Sequence, residues 1–253
     1  MILTVRRYGN KGSRYERFEV RSTPGMTVLD ALFQARDEQD DSLAFRYSCR
    51  GAVCGSCAML INGVPRLACK TQVSSLLAKE PGPKLARFLK DDSAVMYDGS
   101  KEVMVEPLPN MPVLKDLIVD MTEFFSKYQR LNPWLIPREP EPSREYPMTL
   151  AAVRELERFT NCILCGACYG ACPVNGENAG YIGPAALAKL YRFRIDPRDA
   201  LGGSRLKKAD APEGWWACRF YANCYHVCPR SVPPNYAIGK ARKELRSEKE
   251  AGE

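Results

Sequence analysis

The chain has 253 residues, eleven of them cysteine, and a formal net charge of +7. That length allows one or two domains with modest cores, and two is the expectation. The basic residues are dispersed with no aromatic–basic repeat, which argues against nucleic-acid recognition, and no run approaches the roughly 18 apolar residues of a membrane helix.

Met1-Ile-Leu-Thr-Val-Arg-Arg7 passes straight into polar sequence without the basic and apolar stretches of an export signal, so a cytoplasmic start is expected. Residues 2–8 and 14–20 alternate as two strands of a hairpin, with Asn10-Lys-Gly12 as its turn. Thr27 and Asp30 have the spacing of a capping box, and Val28, Leu29, Leu32 and Phe33 line one face of the helix it would open. A β-β-α opening suits a ferredoxin-like β-grasp. Cys49, Cys54, Cys57 and Cys69 follow in the plant-type C-x4-C-x2-C…C spacing of a [2Fe–2S] centre. Gly51 and Gly55 would let the backbone approach the cluster and donate amides to its sulfurs. Residues 58–61 and 64–68 flank Asn62-Gly63, a hairpin signal that returns Cys69 to the site. Residues 74–100 read as a surface excursion, and residues 102–105 as the last strand of a first domain spanning 1–117.

From Leu114, residues Leu117, Ile118, Met121, Phe124, Phe125 and Tyr128 recur at helical spacing and predict a helix with a core-facing stripe. Prolines 133, 137, 140, 142 and 147 then break regular structure, giving a linker or strap. Leu150, Val153, Leu156 and Phe159 predict a helix leading into Cys162. Pro184 opens another through Leu187, Leu190 and Tyr191, and Pro234 a last one through Ile238, Ala241 and Leu245. Residues 118–253 are therefore expected to form an all-helical, bacterial-ferredoxin-like domain beside the β-grasp, an α+β chain in all.

Cys162, Cys165, Cys168 and Cys172-Pro173 match the bacterial ferredoxin run C-x2-C-x2-C-x3-C-P, whose fourth cysteine serves a different cluster. Counting back from Cys228-Pro229 aligns Cys224 with Cys168 and Cys218 with Cys162, but puts Tyr221 where Cys165 stands. If the fourth cysteines cross over, Cys162, Cys165, Cys168 and Cys228 hold a [4Fe–4S] cluster. Cys172, Cys218 and Cys224 are then left for a three-thiolate site, which suits [3Fe–4S]. An odd number of cysteines without an export signal argues against disulfides, and a division into four, four and three does not fill whole four-cysteine zinc sites. A zinc-stapled interaction module is the alternative from a different class.

His226 lies between Cys224 and Cys228 and is read as a surface or hydrogen-bonding residue, with ligand or proton carrier as the other possibility. Trp215 and Trp216 are read as walls keeping water from a cluster, or lining a quinone pocket. No paired carboxylates, nucleophile triad or nucleotide-binding glycine loop accompanies the cysteines, so the chain reads as an electron wire without substrate chemistry of its own.

The order of plant-type spacing, bacterial run and C-x5-C-x3-C-P resembles the iron–sulfur subunit of succinate dehydrogenase and fumarate reductase. So do residues 116–121, 181–186 and 214–218, particularly on the fumarate reductase side. The resemblance covers nearly the whole chain. It implies a β-grasp domain facing a covalently flavinylated dicarboxylate subunit and a helical domain facing a membrane anchor, hence a peripheral place on the cytoplasmic face of the plasma membrane. It also implies that the [2Fe–2S] centre lies nearest the FAD and the [3Fe–4S] centre next to quinone. Many ubiquinone-linked members carry tryptophan shortly after the first C-P and histidine after the first cysteine of the second run. Here those places read Val174-Asn-Gly-Glu177 and Arg219, a pattern that leans towards menaquinone. Pro173, Trp216, Arg219, Lys240 and Arg242 are the candidates for the quinone vicinity. A related fumarate reductase with a soluble or thiol electron donor is the nearest alternative.

Overall fold

A computed structural model describes residues 1–9, 12–78, 82–88, 102–140 and 142–251. The N-terminal half comprises β1 (Ile2–Gly9), β2 (Gly12–Glu19), α1 (Val28–Glu38), β3 (Ala58–Ile61), β4 (Val64–Leu67), α2 (Val73–Leu77) and β5 (Val103–Glu106). Its strands form one five-stranded sheet in the order β2-β1-β5-β3-β4. β1 pairs antiparallel with β2 and parallel with β5, with Leu3 opposite Val103 and Val5 opposite Val105. Leu3, Val5, Met59, Ile61, Val103 and Val105 of the sheet pack against Val28, Leu29, Leu32 and Ala35 of α1. The helix starts as its sequence predicts: the Thr27 hydroxyl accepts from the Asp30 amide at 3.2 Å, and the Asp30 carboxylate accepts from the Thr27 amide at 2.9 Å. The expected hairpins are both present. Residues 10 and 11 of the first turn lie outside the described residues.

The stretch from Leu114 is not one helix. It forms a small antiparallel pair, β6 (Val113–Lys115) and β7 (Ile118–Val119), and only then α3 (Thr122–Gln129). Asp116, at φ 46° in the turn, is the reason. Its buried carboxylate accepts the amides of Tyr8 at 3.0 Å and Ala44 at 2.9 Å and pairs with the buried Arg7 at 3.0 Å. These long-range partners outweigh a helical hydrophobic spacing. Leu117 joins the core of the sheet, whereas Val119 and Phe124 pack with Tyr169 and Ala185.

The C-terminal half contains α4 (Leu150–Thr160), α5 (Ala167–Gly170), α6 (Pro173–Glu177), α7 (Pro184–Arg194), α8 (Ser204–Lys207), a 3-10 turn at Trp215–Ala217, α9 (Asn223–His226) and α10 (Pro234–Glu250). Phe159, Leu187, Leu190, Tyr191, Trp215, Ile238, Ala241 and Leu245 share its core. Of the predicted α4 stripe only Leu156 and Phe159 are buried; Leu150 and Val153 are exposed. The proline-rich strap is anchored by Arg205, wholly buried, which pairs with Asp199 through Nε at 3.0 Å. Its guanidinium also donates to the carbonyls of Asn132 and Trp134, each at 2.7 Å.

Part of the expected surface excursion is packed. Residues 73–77 form α2, and in residues 82–88 Ala86 exchanges two hydrogen bonds with the buried Asn223, at 2.9 and 2.8 Å. Leu85 packs against Ala167, Ala171 and Val227 between the cysteine runs. Residues 79–81 and 89–100 of the excursion lie outside the described residues.

Candidate functional site

Cys49, Cys54 and Cys57 lie on the loop entering β3, and Cys69 follows β4, so the Asn62-Gly63 hairpin brings the fourth thiol back to the first three. The loop turns its amides onto sulfur. Gly51, Val53 and Cys54 donate to Cys49 Sγ at 3.4, 3.3 and 3.2 Å, and Ala52 donates to Cys69 Sγ at 3.3 Å. Arg50 and Ala52 take φ of 53° and 58° to achieve this wrap, a strained arrangement of the kind that functional loops hold. Burial pushes the Cys54 thiol up, but the Ser56 hydroxyl and the Cys49 and Ser56 amides outweigh it and bring it down to about 6. Cys57, more deeply buried beside Cys69, is pushed up to about 12.

The two glycines of this loop differ in what surrounds them. A Cβ on Gly51 would meet only Cys49 O, at an ordinary 3.6 Å. Gly55, at φ 76°, instead has a neighbour in the other half of the molecule: a Cβ there would stand 2.7 Å from Cys165 Cβ.

The two later runs have the same backbone course. Leu164 and Gly166 flank Cys165 at φ 52° and 79°, and Phe220 and Ala222 flank Tyr221 at φ 55° and 63°. The short helices α5 and α9 follow at matching distances, each carrying the next cysteine. Two cavities result. One is lined by Cys162, Cys165, Cys168 and Cys228 with Ala185, Ala188, Val232 and Pro234. The other is lined by Cys172, Cys218 and Cys224 with Tyr181, Val174, Tyr221 and Ile238. Burial, reinforced by neighbouring thiols, pushes Cys165 and Cys224 to about 12 and Cys168 well above the usual thiol range. Between the cavities α5, which carries Cys168, packs against α9, which carries Cys224. The amides of Phe220 and Val232 donate to Cys218 Sγ at 3.4 Å and Cys228 Sγ at 3.2 Å. Among the described residues, no three cysteine, histidine or carboxylate groups converge on a point that one ion could occupy. Thiols spread over cavity walls, with amides aimed at the sulfurs, fit a polynuclear iron–sulfur group instead.

Pro173 and Arg219 line the second cavity. Arg219 is exposed and pairs with Glu177 at 2.7 Å. Arg242 is turned inward, donating to Trp215 O at 2.8 Å and Cys218 O at 2.7 Å. Lys240 is exposed, with Nζ 5.4 Å from the Tyr236 ring centre. Trp215 and Trp216 do not form the expected cluster wall. Trp215 is a core residue donating to Leu206 O at 2.8 Å, and Trp216 is half-buried and donates to Asp210 at 2.6 Å. Neither lines the cavity, whose aromatic wall is Tyr181, Phe220 and Tyr221. His226 is exposed, in the cleft between β4 and Pro229.

Sequence reasoning passed over the polar clamps that hold these turns. Asn110 Nδ2 donates to Gly170 O at 2.9 Å and Cys172 O at 3.2 Å. Asn175 Nδ2 donates to Tyr169 O at 3.0 Å, and Asn223 Nδ2 to Ala171 O at 2.9 Å. An asparagine in a turn carries no mark in sequence that its amide reaches another run.

No helix among the described residues is long and apolar enough to cross a membrane. Residues 2–126 match the family described as a 2Fe-2S iron-sulfur cluster binding domain, and residues 158–232 match the 4Fe-4S dicluster domain. The chain is 36% identical over 230 residues to the fumarate reductase iron-sulfur subunit of Haemophilus influenzae, covering 86% of this chain and 81% of that one. To the succinate dehydrogenase iron-sulfur subunit of Paracoccus denitrificans it is 35% identical over 221 residues, covering 86% and 76%. A solved chain of the Mycobacterium smegmatis Sdh1 complex in the apo form superposes with a TM-score of 0.82 at 25% identity, covering 98% of this chain and 96% of that one. With its 2Fe-2S domain, its helical dicluster domain and these likenesses over most of its length, the chain belongs to the family of iron–sulfur subunits of succinate dehydrogenase and fumarate reductase.

Proposed function

We propose that this electron-transfer subunit connects the FAD of a dicarboxylate-oxidising flavoprotein subunit with a membrane quinone through three clusters. Cys49, Cys54, Cys57 and Cys69 hold [2Fe–2S]. Cys162, Cys165, Cys168 and Cys228 hold [4Fe–4S], and Cys172, Cys218 and Cys224 hold [3Fe–4S]. When bound, such clusters take up and release one electron at a time.

The observation that carries this reading is the serial contact of the thiol sets. Gly55 of the first set's loop lies against Cys165 of the second, and α5, which carries Cys168, packs against α9, which carries Cys224, with Asn223 Nδ2 donating to Ala171 O at 2.9 Å. The three-thiolate assignment is supported by Tyr221, which occupies the backbone place of Cys165 but brings an exposed phenol in place of a thiol. The proposed division of the chain is 1–117 and 118–253; Leu117 packs with the sheet, and the pairing of β6 with β7 joins the two parts.

Menaquinone is the quinone of this proposal. Where ubiquinone-linked members carry tryptophan and histidine, Glu177 and Arg219 form an ion pair at the rim of the three-thiolate cavity. Pro173 and Arg219 are its nearest candidates for quinone contact; Trp216, Lys240 and Arg242 stand behind them. The chain would sit peripherally on the cytoplasmic face, held by an anchor subunit.

Purification of the assembled complex tests the proposal. A flavin-bearing large subunit, a hydrophobic small subunit and iron and sulfide for three clusters are expected. A partner without membrane helices would favour a soluble donor, and a colourless, zinc-loaded protein would overturn the reading.

A further inference from the structure

A further cavity, of about 360 Å³, lies at the seam of the two halves, between β4 and α2 on one side and α9 with Pro229 on the other. That volume falls within the roughly 300–1,000 Å³ of small-molecule sites. Arg66 and Lys70 bring positive charge to its lining, His226 a ring N–H, and Gln72 and Ser75 polar side chains; among the described residues that line it there is no carboxylate. Lys70 spans the seam, its Nζ donating to Pro229 O at 3.1 Å. Arg66 stands apart from the other inward arginines. Arg7 and Arg205 are each paired with buried carboxylates, whereas Arg66, half-buried on the edge strand β4, forms no hydrogen bond or ion pair among the described residues. Burial pulls its pKa down with no neighbouring carboxylate to offset it. A Cβ on Gly82 would stand 3.2 Å from Arg66 Nη2, so backbone also covers part of the guanidinium. A partly desolvated cation without a counter-charge is costly, and the planar guanidinium fork matches a carboxylate or phosphate through two parallel hydrogen bonds.

We infer that this cleft binds a small multivalent oxyanion, a phosphate or a polycarboxylate, with Arg66 gripping one acidic group and Lys70 and His226 another across the seam. The ligand would bridge β4 of the sheet half and α9 of the helical half, and no covalent bond forms or breaks. The inference does not rest on which clusters the thiols hold.

Calorimetric titration of the assembled complex with inorganic pyrophosphate and with tricarballylate, at constant ionic strength, tests it. Saturable binding of at least one probe is expected. Arg66→Gln should weaken it about tenfold or more, because a hydrogen bond to a charged group is worth at least that factor. Ser75→Glu, which adds a competing carboxylate to the cleft lining, should weaken it likewise. Arg21→Gln, whose exposed guanidinium pairs with Glu38, should leave it unaltered. Tighter binding of pyrophosphate points to a phosphorylated ligand and tighter binding of tricarballylate to a carboxylate one, and either supports the inference. Failure of both probes to bind below about 10 mM overturns it. So does binding that Arg66→Gln and Ser75→Glu leave unchanged. Should Arg66→Gln fail to assemble, Ser75→Glu and His226→Ala decide: weaker binding in them supports the inference, and unchanged binding overturns it.

Discussion

Gly55 and Cys165 are in backbone contact across the two halves of the chain. A Cβ on Gly55 would stand 2.7 Å from Cys165 Cβ and 2.9 Å from Cys165 Cα, closer than real Cβ atoms come. The loop of one thiol set thereby rests directly on a cysteine of the next, and the lack of a side chain at Gly55 allows it.

Gly55→Ala should consequently separate the two loops. The left-handed φ of 76° adds about 1 kcal/mol of strain to the clash. Slower reduction of the second cluster by the first is expected in rapid-freeze EPR, with a lower unfolding midpoint. Gly51→Ala is the control, since its Cβ would meet only Cys49 O at 3.6 Å; equal damage from both variants would refute the contact's role.

Tyr221→Cys places a thiol on a backbone already shaped like that around Cys165. A fourth iron should enter. The low-temperature resonance of the oxidised three-iron centre should vanish and a reduced four-iron signal appear; an unaltered spectrum would show that the ligand partition is wrong.

Removing Arg205 leaves Asp199 buried without its cation, and frees the carbonyls of Asn132 and Trp134. Arg205→Ala should destabilise the helical half by about 3–5 kcal/mol in denaturant unfolding. Arg21→Ala, which breaks an exposed pair with Glu38, should change it by less than about 1 kcal/mol. Similar losses in the two would mean that Arg205 does not anchor the strap.

The Asp40 carboxylate is held down from 3.8 to about 2 by the Ser42 hydroxyl and Arg7. Because its folded value is depressed, the stability it contributes is fully present above 3.8 and fades as pH falls through about 2. The difference in urea midpoint between the natural chain and Asp40→Asn, followed by far-UV circular dichroism, should thus be full at neutral pH and shrink towards pH 2. A difference independent of pH would place its origin elsewhere than in the charge.

The legible features were short in range. The capping box at Thr27 and Asp30, the hairpin at Asn62-Gly63 and the proline-led starts of α7 and α10 depend on neighbours within a few residues, and all are present. The stripe from Leu114 misled because hydrophobic spacing says nothing of Asp116, whose turn is held by Tyr8, Ala44 and Arg7. The two tryptophans misled similarly. Nearness to Cys218 in the chain does not tell which way an indole points, and these donate to Leu206 and Asp210.

By itself the sequence determined the types of cluster spacing and the absent thiol at Tyr221, because ligand spacing within a run is a property of a few consecutive backbone units. Only the tertiary structure decided that the loop of the first thiol set meets the second, with Gly55 against Cys165, and that Arg242 closes on the carbonyl of Cys218. Those relationships join residues far apart in the chain, and they exist only once buried side chains and long-range hydrogen bonds have brought the two halves together.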